Sequence, residues 1–421
     1  MCILKKHVLK RVHVSKRDVN KSCVERTKPF LLLFKLGGLF PNNIMGNRVE
    51  CCSWSTYSIC VFWIGIFFSY VCYVIFVYAT SPEFTLRRTM YTIKYCITYS
   101  SVSIDVITAY LSQKHFNKFF NRLQNYDDKA AQIIDKRSDS LWIPWIIAFL
   151  VTLVSLLIMV IHIYRLYKMD DLSLFTLITS YYFMNHFPII VQMYSFLEKF
   201  ILLYLLLERF KRLNEDIVSN VSWDEDRYRF NVIKISDVKF MHLMLYQGHE
   251  AFNDIYRNTL LVSFMSLMMC IVANLYLFRE KDTLIGTSLV GPPLMLMLFM
   301  CTICHLTMEK ANNIAFMLNK SMTTLVNSGK TLTKISVSTF FLHNYVSFDA
   351  AGFFTIDLPL FQSIVFSQHY KCHISLYKNT KFLYLIKSTQ DKTFCFKIKK
   401  NQSKFFIFGN RNHNYIDFTE N

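Results

Sequence analysis

The sequence predicts an all-α membrane protein, a bundle of seven transmembrane helices with a cytosolic N-terminus and a last helix that is cut short. Three observations carry that prediction. Of the 421 residues 53% are hydrophobic and 16% aromatic, with a mean hydropathy of +0.26, too apolar for an ordinary soluble domain. The apolar residues gather into successive runs close to the roughly 20 residues with which an α-helix crosses a bilayer while satisfying its own backbone hydrogen bonds. The Lys and Arg residues fall in short stretches between those runs.

The first span is Tyr57 to Ala79, aromatic-rich and without a charge. Tyr91 to Leu111 is the second and carries Lys94 and Asp105, which weakens its signal. Leu141 to Tyr164 is the third, with Trp142 and Trp145 at one end where an interfacial belt would place them. The fourth, Leu174 to Leu197, continues its helical pattern to Arg212 and is expected to project into the cytosol. Arg257 to Phe278 is the fifth, and Ile285 to Met308 the sixth, with Pro292 and Pro293 near its start. Thr331 to Val346 reads as an amphipathic helix outside the membrane, and Ala351 to Phe366 as a seventh helix short of a full span.

The stretches that a cytosolic N-terminus puts inside are basic: the arm before Lys28, Lys114 to Arg137, and Arg209 to Lys239. The net charge of +18 is therefore read as topology and attraction to anionic lipid, with no nucleic acid implied. Met1 to Lys28 has no apolar stretch long enough for a signal peptide. The 12 Cys are scattered, many within apolar runs, and suggest no disulfide framework. Cys301 and Cys304 form a CxxC inside an apolar run with no second pair, which argues against metal or redox chemistry. The sequence holds no GxSxG, P-loop, HExxH or Rossmann glycines, and Asp127 and Asp128 are read as lying in a polar loop, so an enzyme is not expected. Asn401 heads a glycosylation sequon on the expected outer side, whereas those at Asn20, Asn220 and Asn319 fall inside.

Four segments carry a family resemblance. They are Lys28 to Pro41 (KPFLLLFKLGGLFP), Leu206 to Glu215 (LLERFKRLNE), Cys301 followed by Glu309 and Ala311, and Ala351 to Asp357 (AGFFTID). In order and spacing they resemble the insect gustatory receptors of the insect chemoreceptor superfamily. Their signature at the end of the last helix, Thr-Tyr, five apolar residues and Gln-Phe, is missing here, since Val365 is followed by a Lys-rich tail. Three explanations for that tail stay open: translated intron sequence, a genuine splice form or decaying gene, and a divergent receptor end. The chain accordingly divides into a basic arm and pre-helix segment over 1–56, a chemoreceptor domain over 57–366, and an atypical tail over 367–421, disordered or an artefact of gene prediction.

The resemblance implies a tastant-gated cation channel without a cofactor. It also implies a homo- or hetero-tetramer with other gustatory receptor subunits, in contact with membrane lipid, in the plasma membrane of chemosensory neurons. Its cytosolic helix ends would form an anchor between subunits, and Leu203, Leu206, Phe210 and Leu213 fall at the spacing of one such face. A pore-lining last helix needs small or apolar residues at helical spacing and an acid near a mouth, which selects Phe353, Asp357, Leu360 and Ile364; Asp357 could equally cap or pair with a neighbouring helix. The outward-facing ligand pocket would draw on Tyr99, His162, Tyr181, Tyr182, Asn185, His186, Asn274 and Tyr276, aromatic and polar groups in the outer helix halves. Asn185 and His186 stand out among them, because polar groups at membrane depth are expensive. With the end of the last helix missing, conduction by the chain as written is not expected. The rival readings are an odorant receptor of the sister family, a G-protein-coupled receptor, for which no Asn-Pro-x-x-Tyr exists, and a transporter, for which only Pro292 and Pro293 interrupt a helix.

Overall fold

The computed structural model describes residues 22–46, 48–50, 54–80, 86–133, 142–169, 187–218, 233–278, 283–323 and 331–364. The chain divides into two units, Met1–Ser363 and Ile364–Asn421, and all of the second beyond Ile364 lies outside the described residues.

Helix α1 (Cys23–Leu36) opens on Ser22, whose side chain accepts from the Glu25 backbone N–H at 3.1 Å, the usual way an N-terminal serine satisfies an orphan donor. The segment read as preceding the first span is thus itself mostly helical, and it buries Phe30, Leu31 and Phe34. It ends where Gly38 takes a positive φ of 73°, and a Cβ there would stand 3.1 Å from the Trp63 ring. The ring's Nε1 donates to the Leu36 carbonyl at 2.8 Å, tying α1 to the first span. A small antiparallel hairpin follows, β1 (Asn43–Met45) with β2 (Arg48–Glu50).

Helix α2 (Trp54–Ala79) is the first span and exposes Val61, Phe62, Phe68, Ile75 and Phe76, the apolar coat that lipid requires. Helix α3 (Leu86–Leu111) is the second and turns Lys94 and Asp105 inward, both buried. Inward burial is where a bilayer tolerates such residues, and it explains why hydropathy alone understates this span. After Ser112 the chain continues as α4 (Gln113–Ile133), whose buried Phe116, Phe119, Phe120 and Leu123 recur at helical spacing. The stretch read as a basic loop with Asp127 and Asp128 is therefore this amphipathic helix, and Asp127 is buried in it.

Helix α5 (Trp142–Met169) is the third span; its Trp145 packs on Phe30 of α1, ring centroids 4.4 Å apart. Helix α6 (Phe187–Arg212) is the fourth and ends in one π-helical turn, Leu213–Ile217. Among the described residues the longest helices are α7 (Ile235–Phe278) and α8 (Thr283–Thr323), 44 and 41 residues. At 1.5 Å per residue α7 runs about 66 Å, twice a bilayer core, so the fifth helix reaches well past the thickness of a membrane. Pro292 and Pro293 lie within α8 and do not break it.

One antiparallel register runs the length of α7 against α3 and α4: Lys94 meets Asn274, Thr98 meets Cys270, His115 meets Asp254 and Lys129 meets Asp237. Helix α8 packs between α6 and α7, and α9 (Thr331–His343) lies on α8.

The seventh helix differs from its expectation. Residues 349–356 form a tight turn, with an Asp349–Thr355 bridge and positive φ at Ala351 and Gly352, and helix begins only at 358. The Gly352 N–H donates to the Asp349 side chain at 2.7 Å, and Asp357 caps the helix by accepting from the Leu360 N–H at 2.9 Å. Pro359 sits in the first turn, where its missing N–H costs nothing.

Candidate functional site

Three helices present their polar faces to one another. Lys94, Thr98, Ser101 and Asp105 recur on α3, Gln192, Ser195 and Lys199 on α6, and Thr259, Ser263, Ser266, Cys270 and Asn274 on α7, all of them buried. At one end Lys94 Nζ donates to Asn274 Oδ1 at 2.9 Å, and the Thr98 hydroxyl touches the Cys270 sulfur at 3.4 Å. At the other, Lys199 Nζ donates to both Asp105 oxygens at 3.1 Å, with the Ser195 hydroxyl joining them. Next to it Tyr256 donates its hydroxyl to Glu198 at 2.9 Å. Between the two ends the hydroxyls of Ser101, Ser263 and Ser266 and the Gln192 amide nitrogen are buried without a protein partner. Groups of that kind are ordinarily satisfied by bound water or a ligand.

Of the expected ligand residues, Asn274 lies in this seam. Tyr99 is fully buried beside it on α3, stacked on Tyr70 with ring centroids 5.4 Å apart, so it faces the first span. His162 and Tyr276 sit in α5 and α7, with side chains outside the described residues. Tyr181, Tyr182, Asn185, His186 and Asn401 also lie outside them.

A second cluster joins α1, α4 and α6. Arg209 donates through Nε and Nη2 to the two oxygens of Asp127 at 3.0 and 2.7 Å, and through Nη1 to the Leu205 carbonyl. The Tyr126 hydroxyl donates to the Arg209 carbonyl at 3.0 Å, and Arg26 reaches Asp127 at 3.8 Å. Burial pushes the Tyr126 hydroxyl and the Cys23 thiol up and the Arg26 guanidinium down. Leu203, Leu206, Phe210 and Leu213 are all buried inside this single chain. Phe210 faces His242 of α7 at 5.9 Å, so the subunit's own α7 packs against that face of α6.

A third feature governs the approach to the last helix. The strand-like stretch after α9 is held by side chains: Asn312 of α8 both donates to the Val346 carbonyl at 2.9 Å and accepts from its N–H at 3.0 Å. His249 and Asn253 of α7 engage the Ser347 carbonyl at 2.8 and 3.1 Å. Sequence reasoning missed Asn312, His249 and Asn253, because nothing local marks residues that replace a missing strand partner. Phe353 is 77% exposed in the turn; Leu360 and Ile364 share the helix that Asp357 caps and are partly exposed.

Comparison with known proteins bears on this arrangement. The chain matches the family described as 7tm Chemosensory receptor over residues 27–367. No curated protein matches it. The structure of the insect olfactory receptor OR5 from Machilis hrabei superposes with a TM-score of 0.67 at 14% identity, over 84% of this chain and 97% of that one. The same receptor in complex with eugenol gives 0.64 at 15%, over 84% and 98%. At such identity these two establish the fold. The family match covers most of the sequence and includes the seam, the cluster around Arg209 and the clamped approach to the last helix. The chain belongs to the seven-transmembrane chemosensory receptor family.

Proposed function

We propose that this multi-pass membrane protein is a gustatory receptor, a subunit of a tastant-gated, nonselective cation channel of chemosensory neurons. The observation that carries the reading is the stretch from Val346 to Ile364, in which α7 and α8 grip an extended linker that delivers a capped helix with an acid at its start. In a channel the gate must follow the bundle that binds the ligand, and a linker held by side chains of two membrane helices supplies that connection. The segment Ala351 to Asp357 favours the gustatory over the odorant branch.

On this reading the small-molecule site opens between the outer halves of the helices and includes Asn274, with Tyr99, His162, Tyr181, Tyr182, Asn185, His186 and Tyr276 as further contributors. Asp357 concentrates cations at the inner mouth, and Leu360 and Ile364 line the path. Phe353 stands at its threshold. Four subunits, alike or mixed, surround it and meet through the cytosolic ends of α7, α8 and α9, where Phe240, Phe316, Ile335 and Leu342 are exposed. OR5 has been solved with eugenol, a small aromatic molecule, and a tastant of comparable size is expected here.

The test has two arms. Transcripts from taste organs are sequenced across the codon for Val365, and the chain as written and any spliced form are expressed for calcium imaging with sugars, bitter compounds and organic acids. A form ending in Thr-Tyr, five apolar residues and Gln-Phe is expected to respond and the chain as written to stay silent. Silence of every form to every tastant, with surface expression demonstrated, would sink the reading.

A further inference from the structure

Among the described residues six charged side chains are buried: Lys94, Asp105, Asp127, Glu198, Lys199 and Arg209. Five of them are accounted for. Asp105 pairs with Lys199, Asp127 with Arg209, and Glu198 accepts from Tyr256 beside Lys199. Lys94 differs. Its Nζ donates to the neutral Asn274 amide and lies 5.5 Å from the Tyr95 ring centre, and no described acid pairs with it. An ammonium has three N–H donors, of which the amide takes one. At 4% exposure water and lipid headgroups are kept from it.

A buried cation without a counter-ion weakens a fold, and an ionisable side chain at membrane depth is a candidate functional group whose partner is to be sought. The cation is also oriented. The Asn274 oxygen directs one N–H, and the Thr98 hydroxyl, which donates to the Lys94 carbonyl at 2.8 Å, fixes the helix turn beneath. One turn deeper, the hydroxyls of Ser101 and Ser266 are buried and unpartnered, further hydrogen-bonding capacity on the same faces of α3 and α7.

We propose that Lys94 and Asn274 form a carboxylate-binding site at the outer end of the seam, and that the ligand this chain takes is a small organic acid in its anionic form. This rests on the receptor reading above and narrows it to a ligand class. The carboxylate accepts from the two remaining N–H groups of Lys94 and supplies a counter-charge that no described residue places beside it. Arginine at the position keeps the site, because the cation is kept, and methionine abolishes it at nearly the same volume.

The full-length chain in detergent, its Lys94→Met and Lys94→Arg variants, and matched probe pairs at equal ionic strength test this. The pairs are benzoate with benzamide and hexanoate with hexanamide, each at about 10 mM. The readout is thermal unfolding. Without ligand, Lys94→Met is expected to melt above the wild type. A carboxylate is expected to raise the wild-type and Lys94→Arg midpoints by roughly 2 °C or more, its amide to leave them unchanged, and Lys94→Met to respond to neither. No carboxylate-selective shift in the wild type, or a Lys94→Met chain that melts lower, overturns the proposal and identifies Lys94 as a structural tie to Asn274. Equal shifts by acid and amide also overturn it, yet leave the receptor reading standing, since a small molecule is bound. In a spliced form that conducts, calcium responses to neutral sugars or phenols that survive in Lys94→Met separate the two readings in the same way.

Discussion

Arg209 and Asp127, 82 positions apart, meet in a two-pronged ion pair closed off from the solvent surface: the Arg209 side chain is 1% exposed and that of Asp127 0%. The pair fastens the inner end of α6 to α4, while Tyr126 and Arg26 bring the neighbouring backbone and α1 to the same point. Removing one partner leaves an uncompensated charge in a closed interior.

Asp127→Ala is therefore expected to cost about 3–5 kcal/mol, and Arg209→Met a similar amount. The double variant Asp127→Ala with Arg209→Met should cost less than the two singles added together, because it buries no lone charge. Denaturation of the purified chain in detergent, followed across all three, checks this. Strict additivity would mean that the pair does not act as a unit.

The grip on the linker makes a prediction about motion. His249→Ala and Asn312→Ala each strip hydrogen bonds from the backbone at Val346 and Ser347. Amide exchange over residues 344–350 should speed up by about tenfold for each bond removed, taking a net worth near 1.4 kcal/mol, while the interior of α7 keeps its protection. Unchanged exchange in that segment would show that the side chains follow the linker without holding it.

Asp357 has two separable duties. Asp357→Ala removes the cap and should cost about 1 kcal/mol. Asp357→Asn keeps an accepting oxygen for the Leu360 N–H and should leave stability unchanged. In a form that conducts, Asp357→Asn is expected to lower single-channel conductance to cations, the loss that a missing charge at a pore mouth brings. Wild-type conductance in that variant would leave the residue as a cap alone.

Cys23 offers a pH test. Burial raises its thiol, so the folded chain keeps it protonated and inert towards a maleimide at neutral pH, and labelling should follow unfolding. The sign is fixed by the raised value: below the unfolded thiol's ordinary range both states hold the proton and nothing is contributed. As pH climbs above that range the unfolded state loses its proton first, so stability falls with rising pH. Cys23→Ala should flatten that alkaline decline in a pH series of unfolding midpoints.

Much of the bundle is legible residue by residue. The charge-free run within α2 and the Trp-led run of α5 declare themselves through length and composition, and the pattern read over Thr331 to Val346 marks α9, which ends sooner, at His343. Legibility ends where polarity is shared across the fold. Asp127 looks like loop chemistry until Arg209 is brought beside it, and Lys94 looks like a flaw in a span until Asn274 covers it. The excess length of α7 is hidden because its inner half is amphipathic and reads as cytosolic sequence. The late start of the last helix was written locally in Asp349, Gly352, Asp357 and Pro359, a turn followed by a capped first turn, and the apolar run around them obscured it.

Asn274 and His249 are carried by one uninterrupted helix, with about 37 Å of axis between them. A helix of that kind neither stretches nor buckles easily, so its two ends cannot move independently. A tilt of about 5° forced at the Asn274 end displaces the His249 end by roughly 3 Å along such a rod. That is about the length of the hydrogen bond His249 makes to Ser347. The α7 rod therefore acts as a lever, and a small push among the outer helices arrives at the linker as a displacement large enough to exchange one hydrogen-bond partner for the next.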